Sequence, residues 1–208
     1  FHIVEPKAIW KLYTEKAYEM DSFYRHFHFA FGNSLKNSNA LLEDKLKHAA
    51  DYVEALYQNW YLEELTGCWT NAIADGLASI GYVSEIAKQH DFYPRYVRPL
   101  AGKNSRAFVI ISDALRYEVA TGLCDTIIRT TKGTAKLDAV QAIFPSITKF
   151  GMANLLPGRN LSVNNAIEVL VDGLPTRSTV EREKILCASN PNSVAVQYSD
   201  VLKMKRAD

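Results

Sequence analysis

The chain has 208 residues, of which 48% are hydrophobic and 23% are charged, and its formal net charge is +1. This globular composition excludes a disordered tail, a collagen-like repeat and a disulfide-rich mini-scaffold. A net charge near zero provides no general attraction to nucleic acid or to an anionic membrane. The longest apolar run, residues 107–111, is far shorter than the roughly 20 residues that a membrane helix needs.

The two halves of the chain differ in composition. Residues 1–100 carry a net charge of −3, eighteen aromatic residues and all five histidines, whereas residues 101–208 carry a net charge of +4. This shift predicts a helical region over residues 1–100 and a second domain over residues 101–208. The three cysteines, Cys68, Cys124 and Cys187, are widely spaced and form no metal-binding motif. They are expected to be reduced thiols in a cytoplasmic protein.

Apolar residues repeat at helical spacing through the first half. Helical segments are predicted at residues 5–31, about 42–65, 69–80 and 83–90. Pro6 fits the first turn of the first helix, Gly67 fits the end of the second, and two prolines within residues 91–99 favour a connector. The aromatic residues are expected to pack in a core or against a partner helix rather than to line a cofactor site.

The second half alternates between extended and helical patterns. Extended segments are predicted at residues 106–112, 135–144, 167–171 and 194–197. Helices are predicted at residues 115–129, 149–156 and 179–187. The alternation predicts an α/β fold in which helices pack on a parallel sheet. The apolar run at 106–112 has the composition of a strand that is buried on both faces.

Two polar residues follow the predicted strands. Asp113 ends the first strand, and Thr148 stands at the start of the helix after the second. Because the carboxyl ends of neighbouring parallel strands meet at one edge of a sheet, these residues are expected to lie close together. A carboxylate is a hard ligand for a divalent cation, and a threonine hydroxyl becomes a nucleophile when a metal ion or a base lowers its pKa. The pair would suit metal-assisted phosphoryl transfer, although each residue alone could equally be a helix cap.

Two sequence blocks carry a resemblance to a known family. The segment FVIISDALRYE at residues 108–118 and the segment FPSITKFGMANLLP at residues 144–157 together resemble the PglZ domain. That family belongs to the alkaline phosphatase superfamily and occurs in BREX phage-defence systems. The helices before these blocks resemble the corresponding region of PglZ proteins more loosely.

The resemblance implies a metal-dependent hydrolase of phosphate esters or diesters that acts in phage defence. By similarity, Asp113 would bind one of two metal ions, usually zinc. Thr148 would be the nucleophile and would also contact a metal ion. Arg116 is a candidate contact for the substrate phosphate, and the alternative for Arg116 is an ion pair on its helix.

The expected metal ligands are incomplete in this chain. Superfamily members complete the two-metal site with aspartates and histidines C-terminal to the nucleophile, but no histidine follows His90. The later aspartates are Asp172, Asp200 and Asp208, and none stands beside a histidine. The resemblance therefore predicts the first part of an alkaline-phosphatase-like parallel sheet with flanking helices, truncated before the remaining ligands and inactive by itself.

A second class of function stays open. The fold could serve as a non-catalytic scaffold or regulatory module that holds other phage-defence proteins, with the aromatic-rich helices as contact surfaces. Direct binding of nucleic acid has little support, because the excess of Lys and Arg after residue 100 forms no stripe and no nucleic-acid motif is present.

Overall fold

A computed structural model describes residues 2–36, 40–102 and 105–204. The α/β class is confirmed, since helices and a small sheet both occur. No helix within the described ranges is both long enough and apolar enough to cross a membrane.

Helices account for most of the regular structure. In chain order they are α1 (Pro6–Leu12), α2 (Tyr18–Leu35), α3 (Ala40–Leu56), α4 (Glu63–Ile80), α5 (Arg98–Ala101), α6 (Tyr117–Thr130), α7 (Thr148–Asn154), α8 (Thr179–Ser189) and α9 (Tyr198–Val201). The strands are β1 (Leu161–Val163), β2 (Val169–Val171) and β3 (Leu174–Pro175). The sheet has the order β1-β2-β3, and both of its strand pairs are antiparallel.

The contacts of the chain form two units. Phe1–Glu85 with Ala114–Ala139 is called the helical unit, and Ile86–Asp113 with Val140–Asp208 is called the mixed unit. These contact units interleave along the chain. The predicted division between residues 1–100 and 101–208 refers to family domains, and it stays a prediction.

Two long helical rods build the helical unit. The first rod joins α1 to α2 through a π-helical turn at Tyr13–Ala17, and it extends past the predicted end at residue 31. The second rod joins α3 to α4 through a π-helical turn at Tyr57–Leu62, so the predicted break at Gly67 does not occur. One glycine inside a helix costs only about 1 kcal/mol, which tertiary packing offsets. The rod ends instead at Gly81, whose φ of 73° gives the left-handed cap.

The segment after α4 differs from its prediction. The predicted helix over residues 83–90 is wrong: Val83 and Ile86 are buried in non-helical backbone, and Glu85 has a φ of 68°. The predicted connector over residues 91–99 is largely helical. Its two prolines stand in first-turn positions, where the missing N–H costs no hydrogen bond.

A buried acidic network lies in the core of the helical unit. Asp21 is only 4% exposed, and its carboxylate accepts hydrogen bonds from Tyr57 Oη at 2.6 Å and Tyr13 Oη at 2.8 Å. Tyr61 is completely buried and donates to the carbonyl oxygen of Ala17 at 2.7 Å. Each of these tyrosines belongs to one of the two π-helical turns. The turns therefore direct hydroxyl groups into the interior, where their hydrogen bonds satisfy a buried charge.

Because its tyrosines are buried, the network is expected to make the free energy of unfolding fall at alkaline pH. Burial, followed by the hydrogen bond to Asp21, raises the pKa of Tyr57 to about 12. An unfolded tyrosine ionises near pH 10, so the unfolded state loses its proton first, and the free energy of unfolding falls between about pH 10 and 12. Burial also raises the pKa of Tyr13 and Tyr61, which adds to the same trend.

We expect the urea midpoint of the chain to fall between about pH 10 and 12, and to fall less steeply in Tyr57→Phe. The matched control is Tyr52→Phe, because Tyr52 is 71% exposed and should keep the wild-type pH dependence. A midpoint that does not change over this pH range would contradict the prediction.

The core of the mixed unit forms where α7 and α8 pack on the sheet. Its buried residues are Ala153, Leu156, Val169, Val171 and Ile185. A capping box begins α8: Ser178 Oγ accepts from the Glu181 N–H, and the Glu181 carboxylate accepts from the Ser178 N–H. A Cβ atom at Gly158 would overlap the Val171 side chain, so only glycine fits this close approach.

The strands differ from the predicted parallel sheet. The segment at 106–112 forms no strand, and the segment at 135–144 contributes one parallel bridge, Gln141 to Lys88. The segment at 194–197 likewise forms no strand. A short apolar run supplies the propensity for a strand, but the pairing needs a partner from elsewhere in the chain. Within the described residues, the paired strands lie in the hairpins around Val169–Val171.

Candidate active site

Asp113 and Thr148 lie side by side in the mixed unit. Thr148 Oγ1 donates a hydrogen bond to Asp113 Oδ2 at 3.1 Å, although the two residues are 35 positions apart in the chain. Both residues are exposed to solvent. The expected closeness of these two side chains is confirmed. Their chemical roles stay predictions.

Local structure explains the position of each side chain. Thr148 is the first residue of α7, and the far end of that helix is anchored by Ala153, which is only 1% exposed. Asp113 lies in a turn with Ala114, whose φ of 58° reverses the local course of the chain. A buried helix end and a tight turn thus bring a hydroxyl and a carboxylate together at the surface.

The pair is suited to activation of the hydroxyl. The Asp113 carboxylate orients the Thr148 O–H bond and provides an acceptor for its proton. Because both groups are exposed, a phosphate ester can reach the hydroxyl oxygen from solvent. Lys149, the next residue, donates instead to the carbonyl oxygen of Ile167 at 3.2 Å, and its charge lies over the Phe150 ring.

Arg116 is held in ion pairs within the helical unit. Its Nε lies 2.9 Å from Glu118 Oε1, and its Nη2 lies 3.7 Å from Asp21 Oδ1. The Glu118 side chain is 1% exposed, and Arg25 Nε contacts the same oxygen at 3.7 Å. The structure thus shows the ion pair that was the alternative for Arg116. A contact between Arg116 and a substrate phosphate stays a prediction.

Asp21 and Glu118 were not singled out from the sequence. Both are buried acids, and a buried carboxylate must be paired or hydrogen-bonded. The Tyr117 hydroxyl next to Glu118 donates to the carbonyl oxygen of Thr14 at 3.0 Å. The end of the first sequence block therefore holds the start of α6 against the first rod of the helical unit. The residues that make these contacts are Arg116, Tyr117 and Glu118. No local sequence pattern marks such a network, because its members come from three distant segments.

The oxygen atoms of Asp113 and Thr148 would fit one edge of a metal site. Both are hard oxygen donors, and their separation of 3.1 Å allows them to share one cation. In the described parts of the chain, no group of three or more His, Cys, Asp or Glu residues is arranged to hold a metal ion. His90 Nδ1 lies 3.3 Å from Asn154 Oδ1.

Comparison with known proteins identifies relatives. The model of the BREX system PglZ alkaline phosphatase-like domain matches residues 92–208. The chain is 35% identical over 204 residues to an alkaline phosphatase-like protein PglZ of Bacillus cereus (strain H3081.97), covering 97% of this chain and 23% of the relative. It is also 35% identical over 213 residues to an alkaline phosphatase-like protein BrxZ of Escherichia coli O9:H4 (strain HS), covering 100% of this chain and 24% of the relative. The chain thus spans about a quarter of the length of these relatives. No solved structure matches.

Proposed function

Because the chain belongs to the PglZ family of BREX alkaline phosphatase-like proteins, we propose that it forms part of a metal-dependent hydrolase of phosphate esters. The observation that carries this proposal is the hydrogen bond from Thr148 Oγ1 to Asp113 Oδ2. It joins a potential nucleophile to a potential metal ligand at the surface, and the two residues lie in the sequence blocks that resemble the family.

Thr148 and Asp113 have distinct tasks in the proposed reaction. Thr148 Oγ1 attacks the phosphorus atom while its proton passes to the Asp113 carboxylate, the bond from phosphorus to the ester oxygen breaks, and the leaving alcohol takes up this proton. Asp113 holds the hydroxyl in line and accepts its hydrogen bond before the attack. Water then cleaves the phosphothreonine, which restores Thr148 and releases phosphate or a phosphomonoester.

Asp113 and Thr148 would hold one of the two proposed divalent cations, which by family resemblance are zinc. When bound, such a cation supplies the low hydroxyl pKa that an isolated threonine lacks. The other ligands, and a complete second site, would come from the additional length that the relatives have. In this proposal the 208-residue chain is inactive by itself.

The setting of the reaction is also proposed. The substrate would be a phosphate ester or diester, and the protein would act in antiviral defence in the cytoplasm together with other BREX proteins. Non-catalytic scaffolding in the same defence complex is the second candidate, and the experiment below separates the two.

We expect the 208-residue chain not to hydrolyse bis(p-nitrophenyl) phosphate, and to bind zinc at least about 100-fold more weakly than a full-length PglZ protein that carries it. Competition with a chromophoric chelator measures the affinity. Asp113→Asn should weaken the remaining binding, whereas Asp125→Asn, an exposed aspartate on α6, should not.

Two results would decide against parts of this proposal. Tight binding of two zinc ions and turnover by the 208-residue chain would contradict the incomplete site. A folded, zinc-loaded full-length protein without phosphoesterase activity would favour the scaffold.

A further inference from the structure

The hydrogen bond that joins Thr148 to Asp113 is long for its type. Its 3.1 Å exceeds the roughly 2.7–2.8 Å that is usual between a hydroxyl donor and an oxygen acceptor. Both side chains are exposed, so water competes for the same groups. The residue before Thr148 is Ile147, whose apolar side chain cannot cap the helix. The position of the Thr148 hydroxyl therefore depends on what holds the backbone at the start of α7.

Lys149 provides a contact that restrains this backbone. Its Nζ donates a hydrogen bond to the carbonyl oxygen of Ile167 at 3.2 Å and lies 5.5 Å from the centre of the Phe150 ring. Phe150 in turn packs against the core of the mixed unit. Because Thr148 and Lys149 are consecutive, an anchor at the end of the Lys149 side chain limits the movement of the turn that carries Thr148.

The turn that receives Lys149 is held by its own hydrogen bonds. It spans residues 164–168 and links β1 to β2. Asn164 Oδ1 accepts from the N–H groups of Ala166 at 3.0 Å and Glu168 at 2.9 Å, and the Ile167 N–H donates to the Asn164 carbonyl oxygen at 2.9 Å. Ile167 has a φ of 58°, a left-handed conformation that is unfavourable for a β-branched residue. These hydrogen bonds keep Ile167 in that conformation and thereby fix the direction of its carbonyl group.

The same turn is also joined to the core. The Glu168 carboxylate accepts from Asn164 Nδ2 at 2.9 Å and pairs with Arg177 Nη1 at 2.7 Å. The next residue, Val169, is 3% exposed in β2. An unfavourable backbone conformation persists only where the surrounding contacts enforce it, and such conformations cluster at functional sites. The turn is therefore a fixed point to which the start of α7 is attached.

We infer that Lys149 is a positioning residue, which binds the Ile167 carbonyl oxygen and so holds Thr148 Oγ1 in the orientation needed for attack on phosphorus. This inference rests on the proposed role of Thr148 as the nucleophile. The rate of such an attack is sensitive to displacements of about 1 Å, which a loosened helix start would permit. The Lys149 ammonium is already engaged by a carbonyl oxygen and an aromatic ring, so its effect reaches the substrate through Thr148.

Substitution of Lys149 in a full-length PglZ protein that carries this chain tests the inference by kinetics. Lys149→Met should lower kcat for bis(p-nitrophenyl) phosphate by about 10-fold or more and change KM by less than about 2-fold. Lys149→Arg keeps a cationic donor and should retain at least about half of kcat. The matched control is Lys184→Met, which removes an exposed lysine on α8 and should leave both constants unchanged.

A double-mutant cycle tests whether Lys149 acts through the turn. Asn164→Ala removes the side chain that holds the turn and should lower kcat by about 5-fold. In the Lys149→Met background, the same substitution should lower kcat by less than about 2-fold, because the contact it supports is already lost. Asn190 Oδ1 accepts from the Asn192 N–H in a different turn, so Asn190→Ala should have no effect in either background.

Hydrogen exchange in the same full-length protein gives a readout that needs neither turnover nor metal. The N–H groups of Phe150 and Gly151 both donate to the Ile147 carbonyl oxygen at 3.0 Å, so their exchange reports on the first turn of α7. In Lys149→Met these amides should exchange about 10-fold faster than in the wild type. Amides of α6 (Tyr117–Thr130) should be unchanged, which shows that the variant is folded.

Three results would overturn the inference. A KM that rises by 10-fold or more in Lys149→Met with unchanged kcat would identify Lys149 as a direct contact for the substrate. Independent effects of Lys149→Met and Asn164→Ala would show that Lys149 does not act through the turn. Unchanged exchange at Phe150 and Gly151 would show that Lys149 does not restrain the start of α7. A wild-type protein without turnover would instead contradict the proposed function, and the exchange rates would still decide whether Lys149 holds this turn.

Discussion

Replacement of Thr148 by alanine in a full-length PglZ protein that carries this chain is expected to lower kcat/KM for a phosphodiester by about 10⁴-fold or more. The substitution removes the oxygen that forms the bond to phosphorus and that donates a hydrogen bond to Asp113 Oδ2. Initial rates of bis(p-nitrophenyl) phosphate hydrolysis at saturating zinc measure the decrease in kcat/KM.

Two comparison variants make this result specific to the nucleophile. Thr148→Ser keeps the oxygen atom and should retain a measurable fraction of the activity. Thr126→Ala removes an exposed hydroxyl on α6 that donates to the carbonyl oxygen of Gly122 within the same helix, so activity should be unchanged. Because Thr148 is exposed, the unfolding temperature should also stay at the wild-type value. Wild-type turnover by folded Thr148→Ala would show that another group attacks phosphorus.

Replacement of Asp21 by alanine is expected to lower the free energy of unfolding by about 3–5 kcal/mol. The substitution leaves the hydroxyls of Tyr13 and Tyr57 without their acceptor in a buried core, and it removes a charge that faces Arg116. Unsatisfied buried groups carry the full cost of desolvation, which exceeds the net gain from an ordinary hydrogen bond. Urea unfolding followed by circular dichroism measures the change.

Asp21→Asn and Glu15→Ala complete this test. Asn keeps an acceptor of similar size, so Asp21→Asn should lose less stability than Asp21→Ala. Glu15 is an exposed carboxylate whose ion pair with Lys11 is 3.8 Å long, so Glu15→Ala should change stability by no more than about 0.5 kcal/mol. A loss in Asp21→Ala no greater than in Glu15→Ala would show that the network does not stabilise the helical unit.

Helices were predicted well because their signal is local. Apolar spacing located the rods of the first half, and it also located α6, α7 and α8 to within a few residues. The two helix predictions that were wrong have physical reasons. Tertiary packing carried a helix past Gly67, and the apolar residues Val83 and Ile86 entered the core from irregular backbone.

Strands were predicted less well because their partners are distant. The run at 106–112 has strand composition, yet no described segment pairs with it. The observed hairpin between β2 and β3 turns at Asp172 and Gly173, which have φ values of 47° and 81°. An Asp-Gly pair between two apolar segments is a strong local signal for such a turn.

By itself, the sequence determined the α/β class, the helical pattern and the PglZ resemblance, and it led to Asp113 and Thr148 as candidates. These follow from residue types and from spacing along the chain, which need no tertiary information. Tertiary structure alone decided three other matters: the hydrogen bond that joins Thr148 to Asp113, the ion pairs that hold Arg116, and the exposure of the apolar run that precedes Asp113. Each depends on contacts between segments far apart in the chain, and such contacts are formed only when the fold closes long loops.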